Sequence, residues 1–232
     1  MQDNKTYADF ALNTLGYKFN DEGLLITAFT HRSYVNEHRK TVNEHNERLE
    51  FLGDAVLELI STEYLYKRFK EPEGILTNWR SALVRTESIS AAASRLGFEP
   101  LLRLSRGEKQ GTDRARAQIL ANSYEAVVGA LYLDQGYDAA KEFIEKSLLV
   151  TFDTILETGS WMDPKSHLQE LVQSKDGLTP VYKVLSEEGP DHDKEFTVGV
   201  FVDGKLKGEG GGPSKQAGQI AAAEAALKQY KD

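Results

Sequence analysis

The sequence predicts an all-α domain, residues 1–158, followed by a small α+β domain, 159–232, of order α-β-β-β-α. Apolar residues recur at helical spacing through the first two-thirds of the chain, between breaks at "EPEG" (71–74), "GFEP" (97–100) and "SRGEKQGTD" (105–113). The chemistry then changes at "ETGSWMDPK" (157–165), and three runs of alternating character follow. The last two runs are joined by "VDGK", whose Asp-Gly pair is the strongest short hairpin signal.

Candidate helices of the first domain cover residues 7–15, 21–30, 47–69, 75–96, 114–135 and 139–156. In the second domain Asp163 followed by Pro164 marks a helix start, because proline at the first helical position gives up only an N–H that would lack a partner there. The segment "KSHLQELVQ" continues that helix. Strands are expected at "PVYKVLSEE" (180–188), "KEFTVGVFVD" (194–203) and "KLKGEGGG" (205–212). The alanine-rich "SKQAGQIAAAEAALKQY" closes the chain as a helix.

At 232 residues and 40% hydrophobic content, the chain suits one or two globular domains. It has no apolar run of membrane-spanning length, and "MQDNKTYADF" lacks the charged-then-apolar opening of a signal peptide. A cytoplasmic protein without a membrane partner is expected. The absence of cysteine excludes disulfides and thiolate metal sites. A net charge of −8 means that any nucleic-acid binding does not rest on bulk attraction. It does not exclude such binding, since phosphate contacts need only a local basic patch.

Chemistry concentrates in "NERLEFLGDAVLELI" (46–60). At about 100° per residue, Glu47, Glu50, Asp54 and Glu58 fall within roughly 80° of one another. Leu49, Leu52, Val56, Leu59 and Ile60 take the opposite side as a core-facing stripe. The like-charge pairs at i,i+4 each cost a helix about 0.2–0.5 kcal/mol. Two readings remain open for that face: a solvated surface, or a site for a divalent cation. A second helix, "ILANSYEAVVGALYL" (119–133), places Asn122 and Glu125 on one side at i,i+3. Two helices that each present a pair of oxygen donors suit Mg²⁺, and two such ions could serve phosphodiester hydrolysis. His31, His38 and His45 recur in a polar segment without third-ligand geometry, so zinc is not expected.

"NERLEFLGDAVL" resembles the signature of the ribonuclease III family. "LLITAFTHRSY" (24–34), "EGILTNWRSALV" (73–84) and "ILANSYEAVVGALYLD" (119–134) resemble that family's other endonuclease-domain segments, in the same order. The tail resembles a double-stranded-RNA-binding domain, so the similarity covers essentially the whole chain. The resemblance implies a Mg²⁺-dependent endoribonuclease, with Mn²⁺ able to substitute, that cuts each strand of an RNA duplex. The products would carry 5′-phosphate and 3′-hydroxyl ends with short 3′ overhangs, from rRNA precursors and other structured transcripts. It also implies a homodimer with one centre per subunit.

Residue by residue, the resemblance makes Asp54 and Glu125 catalytic, and Glu50, Asp54, Asn122 and Glu125 metal ligands. Glu47 and Glu73 match further acids of less defined role. Phe51 matches an aromatic of the dimer contact, with a core phenylalanine as the alternative. Asn122 stands where the family pattern most often has aspartate, so the site holds one fewer negative charge. That change is consistent with natural tolerance, with weaker metal binding, or with a non-cleaving double-stranded-RNA-binding protein. A structural dimer with neither activity is a further alternative.

The tail has nine lysines, no arginine and twelve acidic residues, a net charge of −3. Readers of base edges lean on arginine, whereas a reader of A-form shape uses backbone and 2′-OH contacts. Gln169 and Glu170 on the first helix, His192 in the first interstrand loop, and Ser214 and Lys215 in "GGGPSK" match the RNA-binding pattern. Lys215 would add its charge to the N–H groups of a helix N-terminus. Gln216 replaces the usual second cation. "GGGPSK" lacks the G-K-[ST] ending of a nucleotide-binding loop, so no nucleotide cofactor is expected.

Overall fold

The computed structural model describes residues 4–190 and 194–230. The chain divides into two compact units, Met1–Ile155 and Leu156–Asp232. No helix among the described residues is long and apolar enough to cross a membrane.

The first unit is helical: α1 (Asn4–Phe10), α2 (Glu22–Ala28), α3 (Arg32–Glu37), α4 (Glu47–Arg68), α5 (Glu73–Val84), α6 (Thr86–Arg95), α7 (Asp113–Gln135) and α8 (Tyr137–Ser147), and it ends within α9 (Phe152–Thr158). A π turn, Ala11–Leu15, extends α1 and ends at Gly16, whose φ of 83° only glycine adopts readily. The Asp21 side chain caps α2 by accepting from the Gly23 N–H.

The centre is the pair α4 and α7. Ala126, Val127, Val128, Ala130 and Leu131 of α7 are fully buried, so the middle of this helix lies inside the core. Against them α4 sets Leu49, Val56, Leu57, Ile60 and Leu65. Tyr124 lies wholly inside, its hydroxyl 2.6 Å from Ser147 Oγ. Burial pushes its phenol above the usual tyrosine range. Phe10, Phe29 and Phe98 pack edge-on against one another beside this core, with Tyr7 tilted against Phe29.

Several expectations change here. The helix expected over 75–96 is two helices, because Arg85 takes extended angles (φ −70°, ψ 153°) between α5 and α6. The Ser88 hydroxyl donates to the Ala82 carbonyl across that break, satisfying an end that would otherwise be orphaned. The helix expected over 139–156 is likewise α8 and α9 with a 3₁₀ turn, Leu149–Thr151, between them. α3 was not expected; it starts where His31 Nδ1 accepts from the Ser33 N–H.

The apolar stripe of α4 is also rotated. Leu57 is buried, Leu52 is half-buried, and Leu59 is 58% exposed. The reason is that α7 packs on the side bearing Gly53 and Leu57, which leaves Leu59 facing away with Phe51 and Tyr66.

The second unit has the order α10 (Pro164–Asp176), β1 (Val181–Glu188), β2 (Glu195–Val202), β3 (Lys205–Gly212) and α11 (Lys215–Tyr230). Its strands form one antiparallel sheet in sequence order. Asp163 accepts from the Ser166 N–H at 3.0 Å, with Pro164 at the first helical position. Asp203 (φ 51°) and Gly204 (φ 71°) make the β2–β3 turn, the two left-handed residues that an Asp-Gly hairpin demands.

Val200 and Val202 point to the helices and join Leu168, Val172, Ala222, Ala223 and Ala226 in one core. The glycines of β3 have a packing reason. A Cβ on Gly208 would stand 2.4 Å from the Ala222 carbonyl oxygen, so the alanine-rich α11 lies directly on the strand.

Candidate active site

Two glycines bring the acids together. A Cβ on Gly53 would meet the Glu125 carbonyl oxygen at 1.7 Å, and one on Gly129 would meet that of Leu49 at 2.3 Å. Only bare backbone permits α4 and α7 to touch at this point. Gly53 adjoins Asp54, and Gly129 sits one turn after Glu125, so the contact fixes where both carboxylates stand. The sequence reading missed both glycines. Their signal was a small residue on each helix, one turn or less from an acid.

At this crossing Glu50 and Asp54 both press their charges on Glu125. Burial first, and then Asp54 and Glu50, push the Glu125 carboxyl up to about 8. Glu50 is raised as well, by burial and by Glu47, against a hydrogen bond from Asn122 that favours its ionised form, with a further rise from Asp54. Asn122 turns its NH₂ to Glu50, while its Oδ1 accepts from Gln118 Nε2 at 2.7 Å. Among the described residues no lysine, arginine or histidine acts on Glu50 or Glu125.

The half-buried Glu50, Asn122 and Glu125 thus lie beside the exposed Asp54, and among the described residues no cation acts on Glu50 or Glu125 to balance them. As they stand, no three His, Cys, Asp or Glu side chains among the described residues are grouped closely enough to hold a metal ion. The donor set is all oxygen, and its excess negative charge fits a hard divalent cation.

Glu47 is at the edge of this group. It pairs with Arg32 at 3.6 Å and lies 3.8 Å from His45 Nδ1. Glu73 opens α5 on the surface and is not among the charges that act on Glu50 or Glu125. Phe51 is 81% exposed, and with Leu59 and Tyr66 it forms an uncovered apolar stripe along α4.

In the second unit Gln169 and Glu170 are exposed on α10, and Gln169 lines a hollow of about 270 Å³ with Lys165 and Tyr182. Ser214 caps α11 by accepting from the Ala217 N–H at 3.1 Å. Lys215, the first residue of α11, pairs with Glu187 at 3.1 Å and lies over the Phe196 ring. His192 falls outside the described residues.

Residues 21–152 match the family model described as Ribonuclease-III-like, and residues 164–230 match the double-stranded RNA binding motif. Fold and site together define a nuclease that carries a duplex-RNA-binding domain. A protein of Enterococcus faecalis called Ribonuclease 3 is 47% identical over 214 residues, covering 92% of this chain and 93% of its own. A Ribonuclease 3 of Latilactobacillus sakei is 46% identical over 220 residues, covering 93% and 94%. Two solved structures of the ribonuclease III nuclease domain of Campylobacter jejuni are also similar. One has a TM-score of 0.53 at 38% identity, over 60% of this chain and 96% of that one. The other has a TM-score of 0.53 at 37% identity, over 63% and 96%. The first is described as showing flexibility in a region involved in dimer formation. The chain belongs to the ribonuclease III family.

Proposed function

We propose that this protein is a Mg²⁺-dependent endoribonuclease that hydrolyses phosphodiester bonds in double-stranded RNA, acting as a homodimer in the cytoplasm. The observation that carries the reading is the uncompensated carboxylate group where α4 crosses α7, in a chain with an attached duplex-RNA-binding unit. Glu50, Asp54 and Glu125 would hold the metal, with the Asn122 carbonyl as a fourth donor. Bound there, Mg²⁺ supplies positive charge to the phosphate and makes water a better nucleophile.

The chain's own residues do the rest. The glycine contact sets the spacing of the two acidic helices. The half-buried Glu125 carboxyl, pushed up to about 8, keeps its proton near neutrality and would have to release it to hold a cation, so metal affinity should rise with pH. Gln169, Glu170, Ser214 and Lys215 orient the duplex through 2′-OH and phosphate contacts. The products carry 5′-phosphate and 3′-hydroxyl ends.

A rival reading, a duplex-RNA binder that does not cut, draws on one observation: Asn122 brings no charge, and Gln118 holds its carbonyl. Incubation with long duplex RNA, with and without Mg²⁺, separates the two. Cleavage that needs Mg²⁺ supports the enzyme, and tight binding without cleavage at any Mg²⁺ concentration supports the rival.

Asn122→Asp should lower the Mg²⁺ concentration for half-maximal cleavage, because affinity rises with ligand charge. It should also lower the melting temperature of the metal-free protein, since aspartate cannot donate to Glu50 and repels it. An unchanged Mg²⁺ titration would mean that this position is no ligand, or that its carbonyl already suffices.

The exposed stripe of Phe51, Leu59 and Tyr66 supports the dimer, because an apolar helix face of this kind is normally covered. The protein should sediment at twice its 25.9 kDa chain mass. Phe51→Glu should shift it toward monomer by at least about tenfold in dissociation constant, since it buries a charge at a dry contact. Unchanged sedimentation of this variant would place the interface elsewhere.

A further inference from the structure

We infer that Glu187 is a built-in counter-anion in the phosphate-binding part of the second unit, which duplex RNA must displace, and that it sets this unit's selectivity for duplexes. The inference rests on reading that unit as the double-stranded-RNA-binding domain.

Glu187 stands near the end of β1, opposite Phe196 of β2. Its two carboxylate oxygens face two different lysines: Oε1 is 3.1 Å from Lys215 Nζ, and Oε2 is 3.8 Å from Lys194 Nζ. Lys215 comes from the start of α11 and lies over the Phe196 ring, 5.5 Å from its centre, so an aromatic contact holds its side chain on this side. The three charges come from β1, the residue before β2, and the α11 N-terminus, and they meet above one end of the sheet.

A carboxylate and a phosphate offer lysine the same kind of oxygen. The pair is open to solvent, with Lys215 58% and Glu187 39% exposed, so an incoming phosphate can take the carboxylate's place without unpacking the fold. The exchange has consequences because acids outnumber cations in the tail, twelve to nine, and no second cation directly follows Lys215, where Gln216 stands.

Glu187 also has the advantage of being tethered. An intramolecular partner acts at high effective concentration, so a single stray phosphate competes poorly with it. A duplex does better, because it presents phosphates at fixed A-form spacing to several contacts at once. Glu187 therefore weakens all polyanion binding a little, and single strands more than duplexes.

The test is a double-mutant cycle on the full chain without divalent metal, so that RNA is bound and not cut. Wild type, Glu187→Gln, Lys215→Ala and the double variant are titrated with one duplex and with single-stranded RNA of the same sequence. Lys215→Ala should weaken duplex binding and flatten its salt dependence by about one ion. Glu187→Gln should tighten duplex binding about threefold, the scale of an exposed ion pair. It should tighten single-strand binding more, so the duplex preference narrows. In the Lys215→Ala background most of that gain should vanish.

Glu187→Ala provides a second variant with the same expected tightening, and thermal melts confirm that both are folded. Equal tightening with and without Lys215 would reduce the effect to the loss of one surface charge and overturn the inference. Unchanged or weaker binding by folded Glu187→Gln and Glu187→Ala would overturn it too. Wild-type protein that binds neither RNA, or binds both equally, would instead overturn the reading of the unit on which the inference rests.

Discussion

Glu125→Gln should abolish cleavage of duplex RNA while leaving duplex affinity and helix content near wild type. Substituting groups that merely orient a metal ligand typically costs 10–100-fold, so losing a ligand should cost at least about a hundredfold. The amide keeps the shape of the side chain and removes only its charge, which separates chemistry from folding. A wild-type cutting rate in this variant would remove Glu125 from the active site.

The same substitution should change the pH dependence of stability in chelator. Burial, then Asp54 and Glu50, push the folded carboxyl up to about 8, from an ordinary value of 4.5. Between those values the folded protein binds a proton that the unfolded chain has released. Stability then falls as pH rises through the window. The effect is fully felt above pH 8 and absent below pH 4.5.

The amide does not titrate, so Glu125→Gln should melt higher than wild type at pH 8.5 and close to it at pH 5. Even about 1 kcal/mol of the penalty is worth roughly 2–4 °C in a chain of this size. Mg²⁺ should close the gap by stabilising the wild type alone. Parallel melting curves for the two proteins at both pH values would show that the carboxyl carries no such strain.

Gly53→Ala should be strongly damaging although it changes no charge. Its methyl would lie 1.7 Å from the Glu125 carbonyl oxygen, 2.6 Å from its carbon and 2.9 Å from the Gly129 nitrogen. These are backbone atoms in mid-helix, so no side chain can swing aside and the helices themselves must separate. Overpacking a core costs about 1–3 kcal/mol, and a backbone clash belongs at or above the top of that range. At about 3 kcal/mol the melting temperature should drop by roughly 6–12 °C.

Whatever protein remains folded should cut poorly even at saturating Mg²⁺, because Asp54 and Glu125 ride on the parted helices. Glu125→Gln should lose activity at full stability, and Gly53→Ala should lose both. Calorimetry with a cleavage assay tells them apart. A Gly53→Ala protein that melts within 2 °C of wild type and cuts normally would show that the crossing tolerates separation.

The features legible in the sequence share one property: each is written in neighbouring residues. Asp163-Pro164 opens a helix because the cap and the missing N–H are adjacent. Asp203-Gly204 turns the hairpin because both must take left-handed angles. Alternation along β2 put Val200 and Val202 inside. The acids Glu50 and Asp54, and Asn122 with Glu125, were each visible as one face of one helix.

Other features depended on what each face meets. A helical wheel sorts α4 into opposite sides, but burial is decided by the helix that packs on it. Leu57 therefore went inside and Leu59 stayed out with Phe51. The break at Arg85 rests on a bond from Ser88 to the far side of the gap, and nothing in the composition of 75–96 announces it.

The site itself divides in the same way. The sequence by itself determined which residue types were present: three carboxylates and one amide at one-turn spacings, and a tail whose cations are all lysine. Only the tertiary structure decided that Gly53 and Gly129 bring the two acidic helices into backbone contact, and that Glu187 stands between two lysines. Local order follows from dihedral preferences and helical period, which neighbours impose on one another. The charge felt by Glu125 and the partner of Lys215 follow from distances between residues remote in the chain, which exist only once the core has packed.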